Sequence, residues 1–261
     1  MSADIDERLE AASTIMADAG ALALDYFRRR DELKIEQKGH QDLVSIADKD
    51  VERLIRERLV RAFPDDAIIG EEEGGEEQQS AWVIDPIDGT QNFLLGLPYW
   101  TCVIAYVRDR ETVIGVTVDP LHDETYVASR GGGAWRNGVL MRCDDAATAE
   151  ESVVALSFSF KHEIEPFFAA MRRLADEGIG IRRLGSTALK LAHVADGRLH
   201  GMYAVKCNSW DCIAGLLTVR EAGGVATDFV HRYGLIQPGG IVAGTKTLAG
   251  LLGEVSGLPP E

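Results

Sequence analysis

Residues 82–93 are the segment of this 261-residue chain that most constrains its fold. A short apolar run at 82–84 leads directly into Asp85 and Asp88, which are followed by Gly89 and Thr90. The apolar run predicts a strand that brings the two acids out of a core. Gly89 lets the chain turn closely, and Thr90 can cap a following helix. A solvated acidic turn is the alternative, since Asp-Gly is a common turn pair, but the apolar lead-in favours the strand.

The two carboxylates predict a metal site. Asp85 and Asp88, close together in a buried turn, would repel each other, and one would be driven to bind a proton. A divalent cation removes that repulsion, and oxygen ligands suit a hard ion such as Mg²⁺. Asp85 has two oxygens and could bridge two ions, while the N–H groups of the turn could bind an anion. This pairing suggests phosphate ester chemistry.

Three further segments place acids beside apolar runs or at a helix start. These acids are Glu71, Asp211 and, between residues 38 and 48, Asp42 and Asp48 together with Lys38. Each is weak alone, because a glutamate run is usually a solvated face and an aspartate near a helix start is usually a cap. The order and the apolar setting of all four segments together favour one shared site.

These motifs resemble those of the inositol monophosphatase family of metal-dependent, lithium-sensitive phosphatases. The matching pieces, in the family order, are Lys38-Gly39-x-x-Asp42-Leu43-Val44-x-x-x-Asp48, Gly70-Glu71-Glu72, Asp85-Pro86-Ile87-Asp88-Gly89-Thr90, Gly185-Ser186, and Trp210-Asp211 with Ala214-Gly215. They span most of the chain, and together they are highly specific. The resemblance implies an α/β fold, a layered αβαβα sandwich with an N-terminal α+β lobe at 1–145 and a C-terminal α/β lobe at 146–261.

The resemblance also implies a role for each matching residue. Two or three Mg²⁺ ions would be bound by Glu71, Asp85, the Ile87 carbonyl, Asp88 and Asp211. The catalytic residues would be Asp48, Glu71 and Thr90, with Asp48 and Thr90 positioning a metal-activated water for in-line attack on phosphorus. Substrate would be bound by Gly89, Thr90, Gly185, Ser186, Thr187, His200 and Asp211.

The substrate half of the site departs from the family pattern. His200 and Ala204 stand where the family commonly has an aspartate and a glutamate facing the alcohol, and an alanine side chain cannot accept a hydrogen bond. Inositol-1-phosphate is the family default, while histidinol phosphate, fructose 1,6-bisphosphate and a nucleotide phosphate remain alternatives. A non-catalytic binding or regulatory protein with the same fold is the competing hypothesis, and the retention of every metal carboxylate favours the enzyme.

A phosphocysteine mechanism is disfavoured by the sequence. Cys102 and Arg108 have Cys-x5-Arg spacing, but the residues between them include no glycine and indicate a buried strand. The other cysteines show no metal-binding pattern.

Composition limits the partners. A net charge of −15 disfavours nucleic acid and anionic membranes as partners. The family resemblance implies a small phosphorylated substrate instead. The acidic N-terminus does not suggest a signal peptide, no apolar run approaches a membrane span, and a cytoplasmic location is expected. The family resemblance implies a homodimer.

Periodicity predicts helices and strands on both sides of a boundary near residues 144–147. The expected helices are 5–27, 48–63, 163–175, 187–195 and 211–222, and the expected strands after the acidic turn are 101–107, 113–118, 125–128, 153–156 and 241–243.

Overall fold

Two amphipathic helices, α1 (Ala3–Arg28) and α2 (Ile46–Ala62), pack against each other near the start of the chain. The computed structural model describes residues 3–32, 35–39, 42–145, 148–159 and 163–258, with side chains left undescribed at 32, 35–39 and 42–44. Both helices match the predicted ones within a few residues. The hydroxyl of Ser45 accepts a hydrogen bond from Ala47 N, and Asp48 completes the capping box that begins α2.

A seven-stranded sheet lies beneath these helices among the described residues. Its strands, in spatial and chain order, are β3 (Ala67–Gly70), β4 (Ser80–Asp88), β5 (Thr101–Arg108), β6 (Glu111–Asp119), β7 (Glu124–Ser129), β8 (Gly133–Arg136) and β9 (Val139–Leu140). The β3 and β4 strands are parallel, and the remaining neighbours are antiparallel. Residues 102–108 therefore lie in a strand, as predicted, and not in a phosphate-binding loop.

A second sheet of five strands follows within the described residues, in the order β11-β10-β12-β14-β13. Its strands are β10 (Val153–Ser157), β11 (Gly180–Arg182), β12 (Gly201–Cys207), β13 (Val225–Ala226) and β14 (Gly239–Gly244). The remaining elements are the hairpin of β1 (Ile35–Gly39) and β2 (Asp42–Ser45), and the helices α3 (Thr90–Leu95), α4 (Glu165–Asp176), α5 (Thr187–Ala195), α6 (Ser209–Glu221), α7 (Phe229–Tyr233) and α8 (Lys246–Ser256).

Three hydrophobic clusters among the described residues join these elements into five layers. One cluster lies between the helix pair α1 and α2 and the seven-stranded sheet. The second packs α5 and α6 between the two sheets, and the third packs α4 and α8 on the outer face of the five-stranded sheet. In β4, Trp82 and Ile84 face the first cluster, while Ala81 and Val83 face the second, as strand alternation requires. The predicted layered αβαβα sandwich is confirmed.

The middle layer of helices links the two predicted lobes. Helices α5 and α6 follow residue 146 in the chain, yet α6 contacts β5, β6 and β7 of the seven-stranded sheet. Residues 146 and 147, at the predicted boundary, lie outside the described residues. The two lobes at 1–145 and 146–261 thus stay a prediction, and any such lobes would share one core.

Candidate active site

The carboxylates of Asp85, Asp88 and Asp211 meet at one point in the fold. The ligand oxygens that these side chains offer all lie within 4.8 Å of one another. Asp85 and Asp88 end β4, and Asp211 lies in the first turn of α6. The site therefore combines groups from the seven-stranded sheet and the middle helix layer.

A register shift in β4 lets Asp85 and Asp88 share one side of the strand. Three steps separate them in sequence, so a regular strand would point them to opposite faces. Asp85 pairs with Val103 and Asp88 pairs with Thr101, so β4 has one more residue than β5 across this interval. An extra residue of this kind is a β-bulge, which bends the strand and redirects its side chains.

The start of α5 holds the Asp88 carboxylate. Its Oδ2 accepts hydrogen bonds from Ser186 Oγ at 2.5 Å and from Ala188 N at 2.6 Å, and its Oδ1 accepts one from Thr187 N at 3.1 Å. Backbone N–H groups in the first turn of a helix have no partner within that helix, so a carboxylate can bind them. Asp88 thereby connects the sheet to the middle helix layer.

Asp85 and Asp211 are held by fewer donors. Asp85 Oδ1 accepts a hydrogen bond from Ile87 N at 3.0 Å, and Asp211 Oδ2 accepts one from Asn208 N at 2.7 Å. Asp85 Oδ2 is buried, and no N–H or O–H donor of the described residues reaches it. A buried oxygen without a donor is costly, and a bound cation would satisfy it.

Burial raises the pKa of each acid in the cluster, and the charges of neighbouring carboxylates raise the pKa values of Glu71, Asp85 and Asp211 further. Burial is the largest cause for all of them, and it raises the pKa values of Asp85 and Glu71 well above their ordinary values. The pKa of Asp88 is also raised, in spite of the hydrogen bonds from Ser186, Thr187 and Ala188 that lower it. Burial and the charge of Asp88 raise the pKa of Asp211 to about 7. Together these acids disfavour their own negative charge unless a cation is present.

The cluster fits a hard divalent cation. Its donors are carboxylate oxygens, the ligands that Mg²⁺ prefers. Asp85 also has the buried Oδ2, which no donor of the described residues reaches. Glu71 lies close enough to raise the pKa of Asp85 by its charge and by a side-chain hydrogen bond. It follows β3, the parallel neighbour of β4, so both acids leave the sheet at the same edge.

Asp48 and Thr90 also meet, although they are far apart in sequence. The Thr90 hydroxyl lies 3.4 Å from Asp48 Oδ1 and 3.1 Å from the Ile87 carbonyl oxygen, to which it donates a hydrogen bond. Burial raises the pKa of Asp48 to about 6. The prediction that Thr90 caps α3 is wrong, because Thr90 is the first helical residue and Gly89 is the N-cap. The φ of Gly89 is +100°, a backbone conformation that favours glycine.

A cavity of about 600 Å³ opens beside these acids. Glu71, Gly89, Thr90 and Gly185 lie on its wall, together with Gln91, Asn92, Leu95, Leu97, Tyr99, Phe158, Ser159, Arg183 and Leu184. The Arg183 guanidinium lies over the Phe158 ring, 4.7 Å from its centroid. The part of the wall at Gly89 and Thr90 can therefore contact an anion through backbone N–H groups. The part at Phe158 is apolar, with the Arg183 guanidinium stacked on the ring.

Several predicted substrate residues lie elsewhere. Ser186 and Thr187 are buried behind Asp88, and their hydrogen bonds go to its carboxylate. His200 is not brought to the cluster. His200 precedes β12, whereas Asp211 follows the other end of that strand at Cys207, about 23 Å of extended chain away. The Nδ1 atom of His200 accepts a hydrogen bond from Val153 N at 3.0 Å.

Of the other three residues in the resemblance, the structure describes the side chain of Ala204 alone. Ala204 is buried in β12, and it pairs with Ser157 of β10. The side chains of Lys38 and Asp42 lie outside the described part of the structure.

Lys190 is a residue of the site that the sequence did not reveal. Its side chain is fully buried in α5, and its ammonium donates a hydrogen bond to Ser157 Oγ. Burial lowers its pKa to about 8, while the charges of Asp88 and Asp211 oppose that shift. The available signal was a lysine inside the otherwise apolar run of α5 at residues 188–192. Lys190 thus places a cation within the electrostatic reach of two acids of the cluster.

Comparison with known proteins identifies the family of this fold and site. The family model described as the inositol monophosphatase family matches residues 4–257. The Nus factor SuhB of Haemophilus influenzae is 39% identical over 230 residues, which cover 86% of each chain. The inositol-1-monophosphatase of Rhizobium meliloti is 38% identical over 242 residues, which cover 90% of each chain.

A solved structure agrees with both relatives. The extragenic suppressor protein suhB from Bartonella henselae superposes with a TM-score of 0.88 at 32% identity, covering 95% of this chain and 97% of that one. The sequence match, the shared fold and the position of the acidic cluster lead to one conclusion: this chain belongs to the inositol monophosphatase family.

Proposed function

We propose that this chain is a Mg²⁺-dependent phosphatase that hydrolyses a small phosphate monoester. The observation that carries the proposal is the convergence of Asp85, Asp88 and Asp211 within 4.8 Å, together with a buried Asp85 Oδ2 that no donor among the described residues reaches. The cavity beside them has room for a small phosphorylated alcohol. Relatives named inositol-1-monophosphatase support the same activity.

The metal ligands would be Glu71, Asp85, the Ile87 carbonyl, Asp88 and Asp211. Bound Mg²⁺ would neutralise phosphate charge, lower the pKa of water and stabilise the leaving alkoxide. The number of ions, two or three, follows from the family resemblance alone. Since the chain has a net charge of −15, binding an anionic substrate depends on this local site and not on the field of the whole molecule.

The residues of the turn would hold and orient the ester. Backbone N–H groups of Gly89 and Thr90 would donate to phosphate oxygens, since the first N–H groups of a helix have no partner inside it. The Thr90 hydroxyl and the Asp48 carboxylate, 3.4 Å apart, would orient the attacking water, and the Asp48 carboxylate would accept its proton. In-line attack would then require no covalent intermediate with the chain.

The alcohol part of the substrate would contact the remaining cavity wall. Ala204 is buried and provides no side-chain acceptor there, so recognition of a polyol would depend on other groups. We keep inositol-1-phosphate as the family default, with histidinol phosphate, fructose 1,6-bisphosphate and a nucleotide phosphate as alternatives.

Phosphate release from a panel of these esters, with and without Mg²⁺, tests the proposed activity. Inositol-1-phosphate, histidinol phosphate, fructose 1,6-bisphosphate and 3′-phosphoadenosine 5′-phosphate would each be offered to the purified protein. Metal-dependent release from one of them supports the proposal and names the substrate class. Binding of Mg²⁺ without release from any ester would count against it.

A partner-dependent role is the second candidate, because the relative from Haemophilus influenzae bears the name Nus factor SuhB. Because of that name, the expectation that this chain binds no nucleic acid stays untested. The net charge of −15 favours contact through another protein over direct binding to RNA. Fluorescence anisotropy with labelled RNA at physiological salt would decide this point, and we expect no change on adding the protein.

The cellular location and the oligomeric state of this protein are expectations from the sequence. Among the helices that the structure describes, none is both long and apolar enough to cross a bilayer. A cytoplasmic homodimer is proposed from the family resemblance and from the absence of a disulfide pattern in the sequence.

A further inference from the structure

Glu52 is a fully buried carboxylate on α2, one helical turn after Asp48. Its Oε2 accepts a hydrogen bond from Glu72 N at 2.8 Å, and its Oε1 accepts one from Glu73 N at 3.1 Å. These N–H groups belong to the two residues that follow Glu71. The carboxylate therefore binds the backbone of the loop that presents a proposed metal ligand.

Arg56 extends this contact to the far end of the same loop. Its Nε donates to Glu52 Oε1 at 2.8 Å, and its Nη2 donates to the Gly74 carbonyl oxygen at 2.5 Å. The pair is buried at Glu52 and half-buried at Arg56, so it is screened less than a surface ion pair. Glu52 and Arg56 together hold the loop on both sides of Glu73.

The backbone at Gly70 leaves room for this carboxylate. A Cβ placed on Gly70 would lie 2.1 Å from Glu52 Oε1, so the side chain packs directly against the residue before Glu71. Gly70 and Gly74 also exchange two backbone hydrogen bonds of 3.0 Å, which close the loop on itself. A loop closed this tightly gives Glu71 little freedom once Glu52 fixes its position.

We propose that Glu52 is a positioning residue, which fixes Glu71 relative to Asp48 and Asp85 and so sets the affinity of the site for Mg²⁺. The inference rests on the proposed function only in taking Glu71 as a metal ligand. Helix α2 supplies Asp48 at its first turn and Glu52 at its second, so one rigid element aligns two groups of the site. Groups that orient metal ligands in this way typically change metal affinity 10- to 100-fold when they are replaced.

Isothermal titration calorimetry with Mg²⁺ on the Glu52→Gln variant tests the inference. A glutamine has the same shape, but its amide nitrogen cannot accept a hydrogen bond, so one backbone bond and the charge paired with Arg56 are lost. We expect Mg²⁺ binding about 10- to 100-fold weaker than in the wild type. Glu57→Gln is the matched control, because Glu57 is an exposed acid on the same helix, and it should bind Mg²⁺ as the wild type does.

A purely structural role would give a different result. Folded Glu52→Gln protein, with a lowered melting temperature and wild-type Mg²⁺ affinity, would overturn the inference. If this variant does not fold, Glu52→Asp keeps the charge while withdrawing the carboxylate from Glu72 N and Glu73 N, and unchanged Mg²⁺ affinity there would overturn the inference as well. A wild-type protein that binds Mg²⁺ but hydrolyses no ester would defeat the proposed function alone, because the affinity comparison does not depend on turnover.

Discussion

At the residue scale, the two oxygens of Asp85 have opposite surroundings. Oδ1 accepts the Ile87 N–H, whereas Oδ2 is buried without a donor among the described residues. Burial, and after it the charges of neighbouring acids, raise the pKa of the Asp85 carboxyl. The fold therefore holds a carboxylate in a position that is unfavourable unless a cation binds it.

Replacing Asp85 by asparagine separates metal binding from folding. The amide oxygen can keep the hydrogen bond from Ile87 N, while the buried negative charge is removed. We expect Asp85→Asn to lower metal-dependent phosphate release by at least about 100-fold, with a melting temperature in EDTA equal to or above that of the wild type. Activity assays and thermal unfolding measure the two effects, and retained activity would contradict the metal assignment.

Asp88→Asn should abolish turnover at a cost to stability. Asp88 accepts hydrogen bonds from Ser186, Thr187 and Ala188, and one amide NH₂ would face these donors in the variant. Comparing the thermal unfolding of this variant with that of Asp85→Asn tests the difference. Equal melting temperatures for both variants in EDTA would show that the hydrogen bonds from Ser186, Thr187 and Ala188 to Asp88 contribute little to the stability of the fold.

The raised pKa values predict how stability depends on pH. Asp48, at about 6, and Asp211, at about 7, both titrate above the ordinary aspartate value of 3.8. The folded protein without metal therefore binds protons more tightly than the unfolded chain, and its free energy of unfolding should fall as pH rises from about 4 to 7. Mg²⁺ competes with these protons, so its stabilising effect should grow over the same interval.

Thermal unfolding at pH 5 and pH 7.5, with EDTA and with Mg²⁺, measures both trends. Asp85→Asn is the control, since it has one buried acid fewer and should lose less stability with rising pH in EDTA. A Mg²⁺ effect of equal size at the two pH values would contradict the predicted competition with protons.

At the element scale, the contact between β6 and α6 determines where Asp211 lies. A Cβ on Gly115 would lie 2.7 Å from the Ala214 carbonyl oxygen and 2.9 Å from its Cα, both of which are backbone atoms. The helix would have to move away from the sheet to admit a methyl group. Because Asp211 stands one turn before Ala214, its distance from Asp85 would change too.

Gly115→Ala should therefore weaken both the fold and the site. We expect a loss of about 1–3 kcal/mol in the free energy of unfolding, together with weaker Mg²⁺ binding. Gly250→Ala is the matched control, because no atom of the described residues lies within 4 Å of a Cβ there and the residue is exposed in α8. That variant should gain up to about 1 kcal/mol, and urea unfolding curves of both variants would show the contrast.

The sequence predicted those elements whose own residues have a clear period. Helices α1 and α2 and strands β5 and β6 were found because one apolar face or a continuous apolar run identifies them. Strand β12 was not predicted. It lies between β10 and β14 in the five-stranded sheet, and its first four residues are buried, so its sequence does not alternate between polar and apolar residues. Helix α8 was missed as well, although Thr245 marks its start by accepting a hydrogen bond from Leu248 N.

The candidate site divides in the same way. Asp85, Asp88 and Asp211 could be predicted because each follows or begins an apolar segment within a motif. Glu52 and Lys190 could not, because their importance comes from contacts with loops and strands remote in sequence. His200 was expected at the substrate from its aligned position alone, and the direction of β12 places it at the far end of that strand.

At the scale of the whole molecule, the proposed metal centre lies where the layers meet. Asp85 and Asp88 come from the seven-stranded sheet, and Asp211 comes from the helix layer that packs on both sheets. The hydrogen bonds from α5 to Asp88 cross the same boundary. The site is complete only when these layers are packed together, so bound metal should stabilise the whole fold.

We predict that this acidic cluster is a divalent-metal centre at which a phosphate ester binds. A crystal structure with Mn²⁺ and inorganic phosphate, recorded with anomalous scattering from manganese, tests it most directly. We predict manganese peaks within ligand distance of Asp85, Asp88 and Asp211, with phosphate against the N–H groups of Gly89 and Thr90. The absence of manganese from these carboxylates in a fully loaded crystal would contradict the claim.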